Sequence, residues 1–252
     1  GVYDDSNRDA SAVSPMVEIS RTWTESGGPE VYAAFSRTTQ LPTYTALNSN
    51  PAAGLFRGNP NLGRQFSRNF ELGIRGASAG WVGQAAIFWR QDDSQVDWTY
   101  RRGVTARTAN PVDIGVTGLE LMARRSWRSV ELVIGYTALT KNPDYRGASV
   151  DASFYALNYA RHRLTAAVTV QLEHGFELRM DNVARLQAAN PLRTTGGDDA
   201  VISSFAMTYR PPAFNAVEFS AGQENVWNSS FQEVPAVPPM PRRWSAGMAY
   251  RW

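Results

Sequence analysis

The segment HRLTAAVTVQL (residues 162–172) alternates between two kinds of side chain along its whole length. In an extended strand, successive side chains point to opposite faces, so an alternation of period two separates one face from the other. Leu164, Ala166, Val168, Val170 and Leu172 share one face, and Arg163, Thr165, Ala167, Thr169 and Gln171 share the other. The segment therefore predicts a strand that lies between an apolar and a polar environment.

The same alternation recurs from one end of the chain to the other. It is clear at residues 66–76 and again at residues 243–252. Many of these segments are longer than the usual strand of a soluble domain, which has about five or six residues. A tilted strand that crosses a bilayer needs about 9–11 residues. We therefore predict eleven strands, at residues 16–25, 30–39, 66–77, 80–101, 111–125, 129–141, 158–172, 176–187, 200–210, 215–226 and 242–252.

The connections between these strands alternate in length. Tight turns are predicted at residues 26–29, 78–79, 126–128, 173–175 and 211–214, and long loops at residues 40–65, 102–110, 142–157, 188–199 and 227–241. All tight turns then fall at one end of an antiparallel sheet and all long loops at the other. Outer-membrane barrels have this asymmetry, with short periplasmic turns and long extracellular loops. A soluble antiparallel β-protein, the alternative, does not require it.

An odd number of strands has a consequence for closure. Bacterial single-chain barrels have an even number of antiparallel strands. An open sheet in lipid would leave backbone groups unpaired at both edges, at a cost of several kcal/mol per group. Either a twelfth strand is hidden or further strands complete the barrel. We find no internal repeat, low-complexity segment or linker, so residues 1–252 are predicted to form one domain.

The composition fits a strand-built membrane protein. The chain has 43% hydrophobic and 12% aromatic residues, yet its mean hydropathy is −0.36, as expected when half of each strand faces water. No apolar stretch is long enough for a membrane helix, and no signal peptide is recognisable. The net charge is +2 and no basic run contains interleaved aromatic residues, so nucleic acid is not an expected partner. The absence of Cys leaves the redox compartment open.

Several segments resemble the barrel of TonB-dependent outer-membrane receptors, in the order that the family has them. The first two are PEVYAAFSRTTQLPTY (29–44) and GNPNLGRQFSRNFELGIRG (58–76). Arg64-Gln65 departs from the family, which usually has Pro-Glu there. The later matches are DIGVTGLEL (113–121), YARHRL (159–164), ENVWNSSFQEV (224–234) and the terminal PRRWSAGMAYRW (241–252).

This resemblance implies a fold, a location and a function. The family's barrel has about 22 strands and a plugged lumen, so eleven strands would be the C-terminal half of it. The expected location is the bacterial outer membrane, and the expected function is import of a scarce nutrient such as a metal chelate, a vitamin or an oligosaccharide. The implied partners are outer-membrane lipid, the remaining barrel strands, a plug domain in the same or a separate chain, and the TonB complex.

Two alternatives to active transport stay open. The segment could belong to a receptor-like barrel without a plug that serves as a structural or interaction component of an outer-membrane assembly. It could also be a small passive porin of about 12 strands. The sequence does not distinguish a fragment, one part of a split receptor and a complete small barrel.

The sequence contains no arrangement that is typical of an enzyme or a metal site. Of the two histidines, His162 is predicted on the lipid side near a strand end and His174 in a tight turn. Asp198 and Asp199, with Asp181 and Glu177, are oxygen ligands of the kind that Ca²⁺ takes, but solvated loop charges explain the pair more simply. We predict no catalytic, cofactor-binding or metal-binding residue and assign no ligand-binding residue.

Other polar and aromatic residues have predicted places in a barrel. Glu177, Arg179, Asp181 and Arg185 alternate in sign on the lumen side and should form ion pairs with neighbouring strands or the plug. The Pro-rich residues 234–243 should form a stiff extracellular loop. Aromatic residues near strand ends should lie at the membrane interfaces: Trp23, Trp89, Trp98, Tyr209, Trp244, Tyr250 and Trp252.

The alternation also predicts which residues meet lipid and which end of the sheet faces outward. Residues 40–65, 142–157, 188–199 and 227–241 should lie outside the cell, and Trp252 at the periplasmic end. The neighbours of the lipid-facing residues, one position away, should face the lumen. Lipid should contact Leu164, Val168, Phe176, Leu178, Phe205, Met207, Val217, Phe219, Trp244 and Tyr250.

Overall fold

Fifteen strands account for most of the chain in a computed structural model, which describes residues 1–4, 11–23, 28–214 and 216–252. Eleven of them are long, and they agree with the eleven predicted strands to within a few residues at each end. The predicted strand end at 24–25, part of the turn at 26–29 and residue 215 lie outside the described residues. The strands are β1 (Val2–Asp4), β2 (Ala12–Ser14), β3 (Met16–Thr22), β4 (Glu30–Gln40), β5 (Phe56–Arg57), β6 (Gln65–Ser78), β7 (Trp81–Tyr100), β8 (Arg107–Trp127), β9 (Val130–Asp144), β10 (Ala152–Ser153), β11 (Ala160–Gln171), β12 (Phe176–Gln187), β13 (Asp199–Tyr209), β14 (Val217–Glu224) and β15 (Arg243–Tyr250).

Helical structure is confined to connections. Helix α1 (Tyr44–Asn48) begins after Thr43, whose side chain accepts a hydrogen bond from the backbone N–H of Ala46. Two 3₁₀ turns, Glu173–Gly175 and Pro212–Phe214, lie between long strands. Each helix among the described residues is too short and too polar to cross a bilayer.

The long strands form one antiparallel meander, in which each pairs with its neighbours along the chain. The sheet order is β15-β14-β13-β12-β11-β9-β8-β7-β6-β4-β3. The short strands β5 and β10 pair with β8 and β7, and β1 and β2 form a separate hairpin. β3 and β15 lie at opposite ends of this order, so within the described residues the sheet does not close. The predicted antiparallel architecture of about eleven strands is confirmed, and the open sheet is consistent with part of a larger barrel.

Register divides the sheet into an apolar face and a polar face, because directly opposed residues point to the same side. Val168 lies between Leu132 and Met180, whereas Thr169 lies between Glu131 and Arg179. The same phase continues across every long strand. The apolar face includes Ile19, Ala33, Leu72, Ile87, Leu119, Ala138, Leu164, Val168, Phe176, Leu178, Phe205, Met207, Val217, Phe219, Trp244 and Tyr250, so the ten residues predicted to meet lipid all share it.

The apolar face has no second layer over it. Phe70 and Ile87, in the middle strands of the sheet, are 51% and 56% exposed. A β-sandwich would bury such residues against another sheet. An exposed apolar surface that extends over this many strands marks a membrane or protein contact. This distribution is that of a membrane barrel wall rather than of a soluble domain.

The buried clusters lie at one end of the sheet, which we call the long-loop rim, where residues 41–64, 101–106, 145–159, 188–198 and 225–242 connect the strands. On the polar-face side, Val112, Ile114 and Val116 pack with Ala156. At the opposite end, the short-turn rim, connections such as 79–80 and 128–129 have only two residues. The predicted segregation of tight turns and long loops is therefore confirmed for the described residues.

Candidate functional site

The polar face carries hydrogen-bonded ion pairs that join neighbouring strands. Arg75 on β6 donates to Glu30 on β4 and Glu18 on β3, at 2.9 and 2.8 Å. The Arg75 guanidinium also lies 4.8 Å from the centre of the Tyr32 ring, and the Tyr32 hydroxyl donates to Glu71 at 2.6 Å. A Cβ atom at Gly73 would lie 2.4 Å from that ring, so glycine makes room for the tyrosine. Side chains on the polar face thus join β3, β4 and β6 through hydrogen bonds and ion pairs.

The charged ladder on β12 is paired differently from the prediction. Arg179 bonds to Asp181, two residues along the same strand, with both distances 2.7 Å. Arg185 bonds to Glu233 in the loop that precedes β15, at 2.8 Å. Glu177 contacts Gln171 on the neighbouring strand. Glu177 also lies 3.9 Å from Arg210, the residue after β13, so it forms the expected ion pair at the end of a neighbouring strand. Arg179 and Asp181 pair along their own strand instead, and Arg185 pairs with a loop.

At the long-loop rim, a buried carboxylate fixes a loop over the polar face. Asp97, on β7, is 1% exposed. It accepts hydrogen bonds from the backbone N–H groups of Tyr155 and Ala156, at 3.0 and 2.7 Å, and from the Tyr145 hydroxyl at 3.1 Å. Burial raises the pKa of both tyrosines, and Asp97 raises that of Tyr145 further. Because Tyr145 stays protonated, it remains a donor to the carboxylate.

Cations extend this cluster. The Lys141 ammonium lies 3.5 Å from the centre of the Tyr155 ring and donates to the Tyr155 carbonyl at 3.0 Å. Arg90 donates to the Tyr155 hydroxyl at 2.6 Å and to Asp92 at 3.1 Å. Ser67 donates to the other oxygen of Asp92. The loop of residues 145–159 is therefore held against the polar face by charge-assisted bonds rather than by apolar packing alone.

Two further loops form one unit. Arg193, whose side chain is 1% exposed, pairs with Asp198 and donates to the Gln232 carbonyl at 3.0 Å. The side-chain oxygen of Gln232 accepts from the backbone N–H of Thr194 at 2.8 Å. Gly196, at φ +76°, contacts the Phe231 backbone so closely that any Cβ there would collide. Loops 188–198 and 225–242 thus fold as a single structure.

This unit reaches across the polar face. The Tyr100 hydroxyl at the end of β7 donates to the carbonyl of Pro235, although β8, β9, β11, β12 and β13 separate β7 from β14 in the sheet. Neighbouring strands lie about 4.8 Å apart, so the loop spans the roughly 29 Å of sheet that separates β7 from β14. The Pro-rich stretch predicted as a stiff loop is this crossing segment, and Pro235 is buried.

Two cavities lie beneath and between these loops. One of about 620 Å³ is bounded by the polar face of β12–β15 and by the crossing loop, with Arg185, Glu224, Phe231 and Arg243 in its wall. The other, of about 740 Å³, is lined by Phe56, Tyr100, Arg101, Arg102, Arg107 and Pro238. Both volumes are within the range of small-molecule sites. The mouth of the polar face can therefore admit a small solute between polar and aromatic groups.

The remaining residues singled out in the sequence have clear positions. His162 is on the apolar face, with its Nδ1 2.9 Å from the Tyr136 hydroxyl, and His174 is in the turn at φ +61°. No three carboxylates or imidazoles of the described residues lie close enough together to hold a metal ion. Trp98 packs under the 41–64 loop, with its ring 5.1 Å from that of Phe56, rather than projecting toward a membrane interface.

Sequence reasoning missed the residues that organise the mouth. Asp97 looks like any strand carboxylate, and its donors come from more than 45 residues away. Trp81 and Trp127, at the short-turn rim, were also overlooked, although both flank two-residue turns and the interface rule applies to them.

The model of one protein family, described as the β-barrel of TonB dependent receptor-like proteins, matches residues 1–228. No curated protein sequence matches the chain. Among solved structures, the FrpB iron transporter from Neisseria meningitidis (F3-3 variant) superposes on 96% of the chain with a TM-score of 0.65 at 15% identity. The siderophore receptor PirA from Pseudomonas aeruginosa superposes on 98% with a TM-score of 0.62 at 18% identity.

A third structure, the copper transporter OprC, superposes on 95% of the chain with a TM-score of 0.62 at 14% identity. At these identities the likeness concerns the fold. The chain spans only 39%, 41% and 39% of the three solved chains. An open sheet of eleven strands is what such a share of a larger barrel contains.

Proposed function

The chain belongs to the family of TonB-dependent receptor-like β-barrels, and from this premise we propose that it forms part of the barrel of a receptor that imports a scarce nutrient across the bacterial outer membrane. Transport at the outer membrane is the activity of the family as a whole. The ligand, the energy source and the partner segments are the proposed parts.

The observation that carries the proposal is the division of the sheet into two faces. The apolar face is uncovered, with Phe70 and Ile87 each about half exposed. The opposite face bears the ion pairs of Arg75, Arg179 and Arg185. A wall that is apolar outside and polar inside separates lipid from an aqueous lumen.

The mouth supports a selective path rather than an open one. The loop held by Asp97 and the crossing loop held by Tyr100 both cover the polar face at the long-loop rim. A solute that enters there meets cavities of about 620 and 740 Å³ before it reaches the wall below. The barrel of a passive porin would instead enclose an open aqueous channel.

The open edges support the proposed partners. In lipid, the free backbone groups of β3 and β15 must find further strands, because an unpaired group costs several kcal/mol. The family's architecture supplies those strands, together with a plug that fills the lumen. We propose that the charged groups of the polar face that remain exposed, such as Arg179 and Asp181, face that plug.

The ligand class is the least specific part of the proposal. The three solved relatives are an iron transporter, a siderophore receptor and a copper transporter. They favour a metal or its chelate among the candidate nutrients, ahead of a vitamin or an oligosaccharide. The exposed arginines that line one cavity of the mouth, Arg101 and Arg102, are suited to bind the anionic groups of a polar organic chelator.

Uptake by the intact protein in cells tests the proposal. The complete receptor that contains this chain is expressed in a strain without its own uptake systems, and accumulation of radiolabelled ferric and cupric chelates is measured with and without a functional TonB complex. Saturable uptake that requires TonB is the expected result.

The alternatives predict different outcomes of the same experiment. Non-saturable uptake that is independent of TonB would identify a passive porin. Failure to accumulate either chelate, or a labelled vitamin or oligosaccharide supplied in the same assay, would identify a structural component if the receptor also co-purifies in a stable outer-membrane assembly. Either result would reject active transport.

A further inference from the structure

One arginine on the apolar face is clamped between two tryptophans. The Arg125 guanidinium carbon lies 5.5 Å from the centre of the Trp81 ring and 4.8 Å from that of Trp127. The two indole rings meet edge to face, with centroids 6.0 Å apart and an interplanar angle of 82°. The guanidinium therefore lies within cation–π distance of both rings.

The position of the clamp follows from the register. Arg125 on β8 is directly opposite Trp81 on β7, and both belong to the phase that contains Leu121 and Ile87. Trp81 begins its strand after a two-residue turn, and Trp127 ends its strand before another. The clamp thus lies on the apolar face at the short-turn rim, where the apolar band meets the interface.

Arg125 has no carboxylate partner among the described residues, and neither indole N–H of its clamp forms a hydrogen bond there. Its neighbour Arg124 points to the other face and donates to Glu131 at 3.1 Å. The two adjacent arginines therefore differ in their ion pairs. Arg124, on the polar face, is paired with a carboxylate of this chain, whereas the charge of Arg125, on the apolar face, is available to a group outside the protein.

The arrangement recurs once more along the same rim. Arg21 on β3 shares the apolar phase with Val31, and its guanidinium lies 5.7 Å from the centre of the Trp23 ring. Arg21 likewise has no ion pair within the described part of the chain. Among the described residues, an arginine without an ion pair therefore lies beside tryptophan at two places on the apolar face, both at the short-turn rim.

We propose that Arg125, Trp81 and Trp127 form a binding site for the phosphodiester of a glycerophospholipid in the leaflet at the short-turn rim. The site requires only that the apolar face meets lipid, which is the part of the proposed function on which it rests. Planar guanidinium groups bind phosphate through two parallel N–H···O bonds. Tryptophan places its ring among the acyl chains and glycerol while its N–H reaches a polar acceptor.

The chemistry favours a lipid phosphate over a dissolved anion. A free phosphate in water would have to compete with its own hydration at a half-buried arginine, whereas a lipid headgroup is already placed beside it by the burial of its chains. The tryptophans add contact with those chains that a free ion cannot use. The proposed ligand is therefore a lipid with a phosphate and two acyl chains.

The test uses the intact receptor in detergent, studied by native mass spectrometry. Dioleoylphosphatidylethanolamine and dioleoylglycerol, which has the same chains and no phosphate, are titrated into the parent protein and into Arg125→Gln and Arg124→Gln. Arg125→Gln should retain about fivefold less phosphatidylethanolamine and the same amount of dioleoylglycerol. Arg124→Gln should behave as the parent protein does.

Further variants keep the test decisive. Arg125→Lys keeps the charge and loses the planar guanidinium that binds phosphate through two parallel N–H···O bonds, so intermediate retention is expected. Should Arg125→Gln fail to give a heat-modifiable barrel on a gel, Trp127→Leu opens the clamp on one side and should also lower retention of the phospholipid.

Three results would overturn the proposal. Equal retention of phosphatidylethanolamine by Arg125→Gln and the parent protein is one, and displacement of the lipid by millimolar inorganic phosphate is another. Lipopolysaccharide is titrated in the same way, and its selective loss from Arg125→Gln, which would place this rim in the opposite leaflet, is the third. None of these outcomes depends on nutrient uptake, so the lipid site and the transport function can fail separately.

Discussion

Single residues on β11 separate the two environments of the sheet. Val168 lies between the apolar residues Leu132 and Met180 of the neighbouring strands. Thr169, the next residue, lies between Glu131 and Arg179. Val168→Arg should therefore destabilise the barrel in lipid more than the same change at Thr169, because a charge on the lipid face costs from about 2–4 kcal/mol at the bilayer midplane to about 0–1 kcal/mol near the interface. The measurement is the free energy of unfolding in urea, in vesicles.

Thr169→Arg is the matched control, since it adds the same group to the polar face between Glu131 and Arg179, whose opposite charges partly cancel. Its cost should be below about 1 kcal/mol. Comparable destabilisation by both arginines would mean that neither side of β11 faces lipid, and the division of the sheet into two faces would be wrong.

The Asp97 carboxylate stabilises the loop of residues 145–159 through several hydrogen bonds. Asp97→Ala leaves the N–H groups of Tyr155 and Ala156 and the Tyr145 hydroxyl without their acceptor. Because a hydrogen bond to a charged group contributes about 1.5–3 kcal/mol, the local stability of residues 145–159 should fall by at least about 2 kcal/mol. Hydrogen exchange of the Ala156 amide measures this loss.

Asp93→Ala provides the comparison, because Asp93 is a partly exposed carboxylate that pairs with Arg68. Surface pairs of this kind contribute little, so exchange in residues 145–159 should not change. If the Ala156 amide exchanged at the parent rate in Asp97→Ala, the loop would be held by other contacts.

Long strands were predictable from the sequence because their signal is local. Alternation within one segment places β6, β11 and β12 almost to the residue. What the sequence did not contain is pairing with distant segments. β8 begins at Arg107, earlier than predicted, because Arg107 and Thr108 pair with the short strand Phe56–Arg57.

A bulge in β7 illustrates the same limit. The register shifts between Asp92 and Gln95, where Ser94 adopts φ +55° and its N–H donates to Asp113 on β8. The extra residue is held by a partner strand, so the bulge cannot be predicted from the sequence of β7 alone. The candidate site at the mouth depends on such long-range partners throughout, which is why sequence reasoning placed the wall and missed Asp97.

Loops 188–198 and 225–242 should respond as one element. Gln232→Ala removes the acceptor of the Thr194 and Thr195 N–H groups, so amide exchange should accelerate in both loops by about fivefold to thirtyfold, equivalent to about 1–2 kcal/mol. Ser230→Ala, an exposed side chain in the same loop, should have no effect. Acceleration confined to residues 225–242 would show that the two loops are independent.

The whole molecule has a predicted orientation in its membrane. The chain contains no Cys, so single cysteines can report which side each rim faces. Thr195→Cys, at the long-loop rim, should react with a membrane-impermeant maleimide on intact cells. Glu173→Cys, in a turn at the short-turn rim, should react only after the outer membrane is permeabilised. The reverse pattern would invert the topology.

The two sheet edges make the fold depend on strands beyond those in the meander. In the intact receptor, amides of β3 and β15 that point away from their neighbours should be as protected from exchange as those of β9, because an edge in lipid must be paired. In residues 1–252 expressed alone in detergent, the same amides should exchange rapidly. Rapid exchange in both preparations would mean that the barrel is not completed by further strands.

The contact between Tyr100 and Pro235 also sets an order of events during folding. Each pair of neighbouring strands is close in sequence, so the meander can assemble hairpin by hairpin. The two residues of this contact are 135 positions apart, and the contact spans the paired strands from β7 to β14. Loop-closure entropy makes such a distant contact slow to form early. The mouth is therefore expected to close after the strands from β7 to β14 have paired.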